Sequence, residues 1–178
     1  GKKFIDLVSG VSVSNLGHQH PKINKAVKEQ IDKHMHLMVY GEFIQSVQLE
    51  LAELLKSQLD ESLNSVYYVN SGSEAIEGAL KLAKRYTGKS KIFSFKNAYH
   101  GSTHGALSIM GDESFKTNYR PLLPDTYLLE FNNEKDLERI ENKTAAIVVE
   151  PIQAEAGIVL PKNDFLKKLR KKCNETET

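Results

Sequence analysis

The feature that most constrains the fold of this chain is an unbroken apolar run from Ala145 to Val149. A strand with one face in water alternates apolar and polar residues, whereas a strand that is apolar throughout suits a parallel sheet covered on both faces. The run therefore predicts a buried parallel strand with helices packed on each side.

Strand-like and helix-like segments alternate along the rest of the chain. The predicted strands are Lys2–Leu7, Val66–Val69, Lys91–Phe95, Tyr127–Phe131 and Ala145–Glu150. The predicted helices start at Pro21, at about Gln45, after Ser71 and at about Asn163. Gly41 is expected to let the chain turn before the second helix, and Thr87-Gly88 to end the third. This order predicts an α/β protein with three layers, α/β/α, and a mostly parallel sheet.

Charge and composition exclude several classes of protein. The 24 Lys and Arg balance 23 Asp and Glu and are scattered, so no nucleic-acid partner is expected. No apolar run approaches the roughly 20 residues of a membrane span, and the N-terminus lacks the pattern of a signal peptide. The single cysteine, Cys173, has a core-like spacing from Phe165 and Leu169, which favours a buried thiol. We therefore expect a cytoplasmic protein without a membrane partner, and we predict no metal site.

The turn from Ser71 to Glu74 has two physical interpretations. It can be a capping box, in which the Ser71 hydroxyl accepts from the Glu74 N–H and the Glu74 carboxylate reaches back to Ser71. It can also be an anion site, in which the first helical N–H groups bind a phosphate that Gly72 lets approach the backbone. Taken alone, the pattern favours the capping box, although the two roles are compatible.

Two further segments carry polar or aromatic residues at the end of a predicted strand, where α/β sheets place their ligands. Tyr99 and His100 follow the strand Lys91–Phe95, and Tyr99 is suited to stack on a planar ring. Taken alone, they are an ordinary loop aromatic and a solvated histidine. The segment from Glu150 to Gly157 places two carboxylates after the apolar strand.

Together these segments resemble the class III aminotransferases, the group that includes acetylornithine, ornithine and omega-amino-acid aminotransferases and glutamate-semialdehyde aminomutase. The matching motifs, in family order, are Gly17-His18-Gln19-His20-Pro21, Asn70-Ser71-Gly72-Ser73-Glu74-Ala75, Tyr99-His100-Gly101 and Glu150-Pro151-Ile152-Gln153. The resemblance implies the fold type I of pyridoxal-phosphate (PLP) transferases and PLP as the cofactor.

The resemblance also implies roles for individual residues in the PLP site. Gly72 and Ser73 would hold the cofactor phosphate, with Ser71 capping the same helix. Tyr99 would stack on the pyridine ring. The other residues implied are His100 and Glu150, beside the cofactor, and Glu155, which matches a gating glutamate for the substrate.

The family pattern further implies that the chain is the N-terminal portion of a longer protein. Residues 1–40 would be an N-terminal segment and helix, and residues 41–178 the first half of the PLP-binding large domain, without the C-terminal half and the small domain. The Schiff-base lysine and the aspartate that binds the pyridinium nitrogen would lie beyond residue 178. We therefore predict no catalytic residue in this chain and no turnover by the fragment.

The resemblance implies that the parent protein moves an amino group from an amino acid or omega-amine donor to a 2-oxo acid such as 2-oxoglutarate, as a homodimer. Ser102 stands where acetylornithine and ornithine enzymes carry an arginine, so an omega-aminotransferase is expected over an acetylornithine enzyme. Two alternatives stay open. One is an aminomutase of the glutamate-semialdehyde type, and the other is a phosphate-binding or oligomerisation module without chemistry.

Overall fold

The structure, a computed structural model, describes residues 1–38 and 42–178. The chain forms two compact units, residues 1–66 and residues 67–178. Gly41, the predicted turn residue, lies outside the described residues. The domain boundary predicted after residue 40 concerns the parent protein and stays a prediction.

The first unit contains the short turn α1 (Ser9–Ser12) and the helices α2 (Pro21–Lys33) and α3 (Ser46–Ser57). Pro21 occupies the first turn of α2, as predicted. The apolar residues Ile23, Val27 and Ile31 recur on one face of this helix, and each is about half exposed, at 46%, 52% and 51%. Both predicted helices of this unit are confirmed.

The predicted strand Lys2–Leu7 is wrong. These residues are irregular, and Phe4, Ile5 and Leu7 are at least 86% exposed. A β-strand is stabilised by pairing with a neighbour and by burying one face, and this segment has neither among the described residues.

The second unit contains a parallel sheet of β1 (Lys91–Phe95), β2 (Thr126–Leu129) and β3 (Thr144–Ile147). The strand order is β2-β1-β3, and Phe93 of the central strand pairs with Tyr127 and Ile147. Three predicted strands are confirmed, with small shifts of their ends. The predicted strand Val66–Val69 is wrong, because this segment pairs with no other described strand and Tyr67 is 82% exposed.

Helices α4 (Gly72–Thr87), α5 (His104–Ser108) and α6 (Phe165–Glu175) complete the second unit, with short 3₁₀ helices at Glu113–Phe115, Thr117–Tyr119 and Glu134–Arg139. Gly88 ends α4 in the left-handed conformation, with φ 68°, as the Thr87-Gly88 pair predicts. The sequence did not predict α5.

Both faces of the sheet are covered. On one face, Ile92 packs with Leu80 of α4 and with Ala145. On the other, Phe93 and Phe95 lie in a cluster that includes Phe165, Leu169 and the buried Cys173 of α6. The order of helix, sheet and helix confirms the predicted three-layer α/β/α fold and explains why residues 145–149 are apolar.

Among the described residues, none of the helices combines the length and apolar character that crossing a membrane requires.

Candidate functional site

One carboxylate joins the two loops that follow β1 and β3. Because these strands are parallel neighbours, their carboxyl ends lie at the same edge of the sheet. The Tyr99 N–H donates to Glu150 Oε2 at 3.2 Å, and the Ala154 N–H donates to Glu150 Oε1 at 3.3 Å. Glu150 thus fixes the backbone of the Tyr99 loop to the loop after β3.

The N-terminus of α4 is closed by a capping box. Ser71 has extended backbone angles, and its Oγ accepts from the Glu74 N–H at 3.2 Å. The Glu74 carboxylate accepts in return from the Asn70 N–H at 2.7 Å. The predicted return bond to Ser71 is therefore wrong by one residue, because the carboxylate reaches the preceding N–H.

The same helix end leaves backbone donors available. Its first intrahelical bond runs from the Ala75 N–H to the Ser71 carbonyl, at 3.0 Å. The N–H groups of Gly72 and Ser73 precede this bond and have no acceptor within the helix. A Cβ at Gly72 would meet no atom within 4 Å, so a ligand has access to this backbone. Together with the positive end of the helix dipole, these donors suit an anion.

The Tyr99 loop packs directly against this helix end. The Ser102 N–H donates to Ser73 Oγ at 3.3 Å. Gly101 has φ +117°, and a Cβ there would overlap Ser73 Oγ and lie 3.0 Å from the Ser73 Cα. Only glycine allows this approach, which brings the Tyr99 segment beside the α4 donors. The Tyr99 side chain is 44% exposed.

His100 is buried rather than solvated, so its interpretation as a solvated histidine is wrong. The residue is 8% exposed, and its N–H donates to Met110 Sδ at 3.2 Å. Its Nε2 is buried without a hydrogen-bond partner among the described residues. Burial lowers the pKa of His100, against the opposing charge of Glu150, so the ring is neutral at neutral pH.

Glu155 is exposed and lies outside this hydrogen-bonded cluster. Gln153, which the sequence analysis did not assign to the site, is 2% exposed. Its Nε2 donates to the Lys96 carbonyl at 2.9 Å, which ties the loop after β3 to the end of β1. The signal for Gln153 was its place in the motif Glu150-Pro151-Ile152-Gln153.

Glu77 of α4 is a second residue that the sequence analysis missed. Its Oε1 accepts from the Gly105 N–H at 2.7 Å and from the Ala106 N–H at 3.2 Å. Burial alone would raise the pKa of Glu77. Hydrogen bonds from Thr103 and from these two N–H groups, together with the charge of Lys81, outweigh burial, so the pKa of Glu77 is lowered. The available signal was its position four residues after Ser73, on the same face of the helix.

The assembled site is a helix end with available backbone donors beside an exposed aromatic residue and a carboxylate. The structure brings Ser73, Tyr99 and Glu150 into one network through backbone donors, and His100 is buried in the same loop. Such an arrangement is suited to a ligand with a phosphate and a planar ring. Among the described residues, no group of three or more His, Cys, Asp or Glu is placed to hold a metal ion.

Comparisons with known proteins show which family this chain resembles. The family of class-III aminotransferases matches residues 1–178. The acetylornithine aminotransferase of Methanopyrus kandleri is 40% identical over 178 residues, which cover 98% of this chain and 45% of that protein. A transaminase from the marine bacterium Virgibacillus is similar in structure, with a TM-score of 0.91 at 28% identity, over 99% of this chain and 44% of that one.

A second similar structure is an ornithine aminotransferase from Toxoplasma gondii with partial occupancy of PLP at its active site. The two structures have a TM-score of 0.83 at 26% identity, and the match covers 100% of this chain and 44% of the Toxoplasma chain. The chain therefore spans about half the length of the known relatives that it matches. The match to the family over the whole chain leads to one conclusion: this chain belongs to the class-III aminotransferases.

Proposed function

We propose that the protein containing this chain is a PLP-dependent aminotransferase, which transfers an amino group from an amino acid or omega-amine donor to a 2-oxo acid such as 2-oxoglutarate. Membership of the class-III family and a 40% identical aminotransferase support this proposal. Bound PLP supplies an electron sink that makes bonds at the amine-bearing carbon of the donor easier to break. The chain spans 45% of that relative, so the activity belongs to the longer protein.

The observation that carries the proposal is the contact between the Tyr99 loop and the N-terminus of α4. The Gly72 and Ser73 N–H groups and the Ser73 hydroxyl would bind the cofactor phosphate, aided by the helix dipole. Tyr99 would stack on the pyridine ring with its exposed side chain. Glu150 would hold the Tyr99 backbone in place, at the 3.2 Å bond described above.

We propose that His100 and Ser71 also belong to the cofactor site. Ser71 caps α4 and so keeps the first-turn donors oriented. His100 is neutral and buried, so the N-terminus of α4 rather than His100 would stabilise the negative charge of the phosphate. We propose that Glu155, exposed on its loop, gates the substrate in the longer protein.

We further propose that the lysine that binds PLP covalently lies in the part of the parent protein that this chain does not span. On this proposal, the 178-residue chain binds PLP without a covalent bond and does not turn over. The parent protein would be a cytoplasmic homodimer.

A titration of PLP into this chain, followed by absorbance, tests the cofactor site. A hydrogen bond to a charged group contributes about 1.5–3 kcal/mol, so Ser73→Ala should weaken binding roughly tenfold or more. Ser114→Ala, which removes an exposed hydroxyl outside the cluster, is the matched control and should bind normally. Equal binding by the wild type and Ser73→Ala would contradict the phosphate assignment.

Borohydride reduction and intact-mass measurement of the same samples test the location of the lysine. We expect no mass increase, because the chain would hold PLP without a covalent bond. A PLP adduct trapped on one specific lysine would show that the catalytic lysine lies within residues 1–178.

A substrate panel with the full-length protein tests the reaction. N-acetylornithine, ornithine and a simple omega-amino acid would each be offered with 2-oxoglutarate, and glutamate would be measured. Glutamate formed in proportion to donor supports transfer between two molecules. The relative from Methanopyrus kandleri is an acetylornithine enzyme, whereas Ser102 favours an omega-amine donor, so the fastest donor decides between these substrates. Conversion of one amino compound without any oxo acid would instead indicate the aminomutase.

A further inference from the structure

The segment from Tyr99 to Ala106 touches α4 at two places. The first is the hydrogen bond from the Ser102 N–H to Ser73 Oγ, at 3.3 Å. The second is the carboxylate of Glu77, which accepts from the Gly105 and Ala106 N–H groups. Ser73 and Glu77 are four residues apart, so they form one stripe along the helix.

The contact at Glu77 is the stronger of the two. Its shorter bond, to the Gly105 N–H, is 2.7 Å, whereas the bond to Ser73 is beyond the usual range of N–H to oxygen distances. A charged acceptor also makes the stronger kind of hydrogen bond. The proposed phosphate would accept from the same Ser73 hydroxyl, which leaves Glu77 as the attachment that does not also contact the ligand.

Helix α5 depends on Glu77 because it does not cap itself. Its N-cap residue, Thr103, makes no side-chain capping bond, and the residues Gly105 to Ser108 are buried. The Thr103 hydroxyl instead bonds to Glu77. The approach is so close that a Cβ at Gly105 would lie 2.7 Å from the Glu77 Cδ. Without this carboxylate, the N–H groups of Gly105 and Ala106 would be buried without an acceptor.

We propose that Glu77 is a positioning residue of the cofactor site, which sets the distance between the Tyr99 ring and the phosphate donors of α4. This inference rests on the proposed function of the site. Removing the carboxylate frees the segment after Tyr99 and leaves the backbone donors of Gly72 and Ser73 in place. The stacking contribution should therefore be lost while phosphate binding is kept.

Two probes separate these contributions in the full-length protein freed of cofactor. Pyridoxine 5'-phosphate has the ring and the phosphate but lacks the aldehyde, and inorganic phosphate tests the helix end alone. We expect Glu77→Ala to weaken pyridoxine 5'-phosphate about tenfold and inorganic phosphate less than about twofold. Glu77→Gln keeps an oxygen acceptor, so it should fold and lose about threefold for pyridoxine 5'-phosphate.

A matched control and a double-mutant cycle complete the experiment. Asp136→Asn alters another carboxylate that accepts a backbone N–H, from Glu130 at 2.7 Å, outside the cluster, and should change neither affinity. If Glu77 acts through the ring of Tyr99, Glu77→Ala should have little further effect in a Tyr99→Leu background.

Four results would overturn the inference. Equal weakening of both probes, or additive effects of Glu77→Ala and Tyr99→Leu, would mean that Glu77 is merely structural. Binding that depends on Ser73 but not on Glu77 would refute the inference alone. Binding that is insensitive to Ser73→Ala would refute the proposed function, and the inference with it.

Discussion

Substitution of Gly101 by alanine tests whether the Tyr99 loop lies as close to α4 as the structure places it. At φ +117°, a residue with a Cβ pays about 1–3 kcal/mol in backbone strain. The new methyl group would lie 2.9 Å from the Ser73 Cβ and 3.0 Å from its Cα, and overpacking of this kind costs about 1–3 kcal/mol. A rotamer change at Ser73 cannot relieve a contact with the backbone. The expected loss in the free energy of unfolding is therefore about 2–6 kcal/mol.

Gly157→Ala separates strain from collision, because Gly157 also has a positive φ, +94°, but a Cβ there would meet no atom within 4 Å. Urea unfolding followed by far-UV circular dichroism should show a loss for Gly101→Ala that exceeds the loss for Gly157→Ala by about 1–3 kcal/mol. Ser73→Gly removes the overlapping Oγ and Cβ and should restore part of the difference. The close approach would be refuted if the two alanine variants lost equal stability.

Three further predictions concern buried groups of the second unit. Burial lowers the pKa of His100, so the unfolded chain binds its proton more readily, and stability should fall as the pH drops below the ordinary pKa of 6.5. Urea unfolding near pH 5 and at about pH 7 should show a smaller loss of stability at the lower pH for His100→Gln than for the wild type. Phe95 is fully buried and lies 5.6 Å and 5.9 Å from the rings of Phe131 and Phe165, so Phe95→Ala should cost about 3–5 kcal/mol, whereas an unchanged unfolding midpoint would contradict this core. Burial raises the pKa of the Cys173 thiol, so a thiol reagent at neutral pH should modify it in urea and not in the native protein; rapid native labelling would show that α6 is not packed as described.

The sequence predicted those elements whose pattern and surroundings agree. The helix that begins at Gly72 has its capping residues, its apolar face and its terminal Gly88 within one short segment. The strands β1 and β3 carry apolar residues that both faces of the sheet bury. For these elements, local sequence and tertiary packing favour the same structure.

The two wrong strands, Lys2–Leu7 and Val66–Val69, have β-branched and aromatic residues but no partner among the described strands. Strand propensity measures how well a residue fits a pleated, half-buried surface, so it has no effect where neither pairing nor burial is present. The residues of a segment do not reveal whether it pairs with another strand, because its partner comes from residues far away in the sequence.

For the site, the sequence indicated which segments meet but not which atoms connect them. Tyr99 and Glu150 were each predicted to follow a strand, at the end where α/β sheets place their ligands. The bond between them uses the Tyr99 backbone, which no residue type reveals. The sequence indicated no role for Glu77, because its partners, Gly105 and Ala106, belong to a short helix that the sequence did not predict.

The use of backbone donors determines where this site is sensitive to mutation. The N–H groups of Gly72 and Ser73 are present with every residue type except proline, so most side-chain changes in the first turn of α4 leave the proposed phosphate donors intact. The distance from these donors to the Tyr99 ring depends instead on contacts made elsewhere, through Gly101 and the carboxylates of Glu77 and Glu150. In the proposed cofactor site, a small displacement of the loop would move the Tyr99 ring away from these donors, although every proposed ligand-binding group would still be present. Affinity for the whole cofactor should therefore respond more strongly to these supporting residues than affinity for inorganic phosphate does.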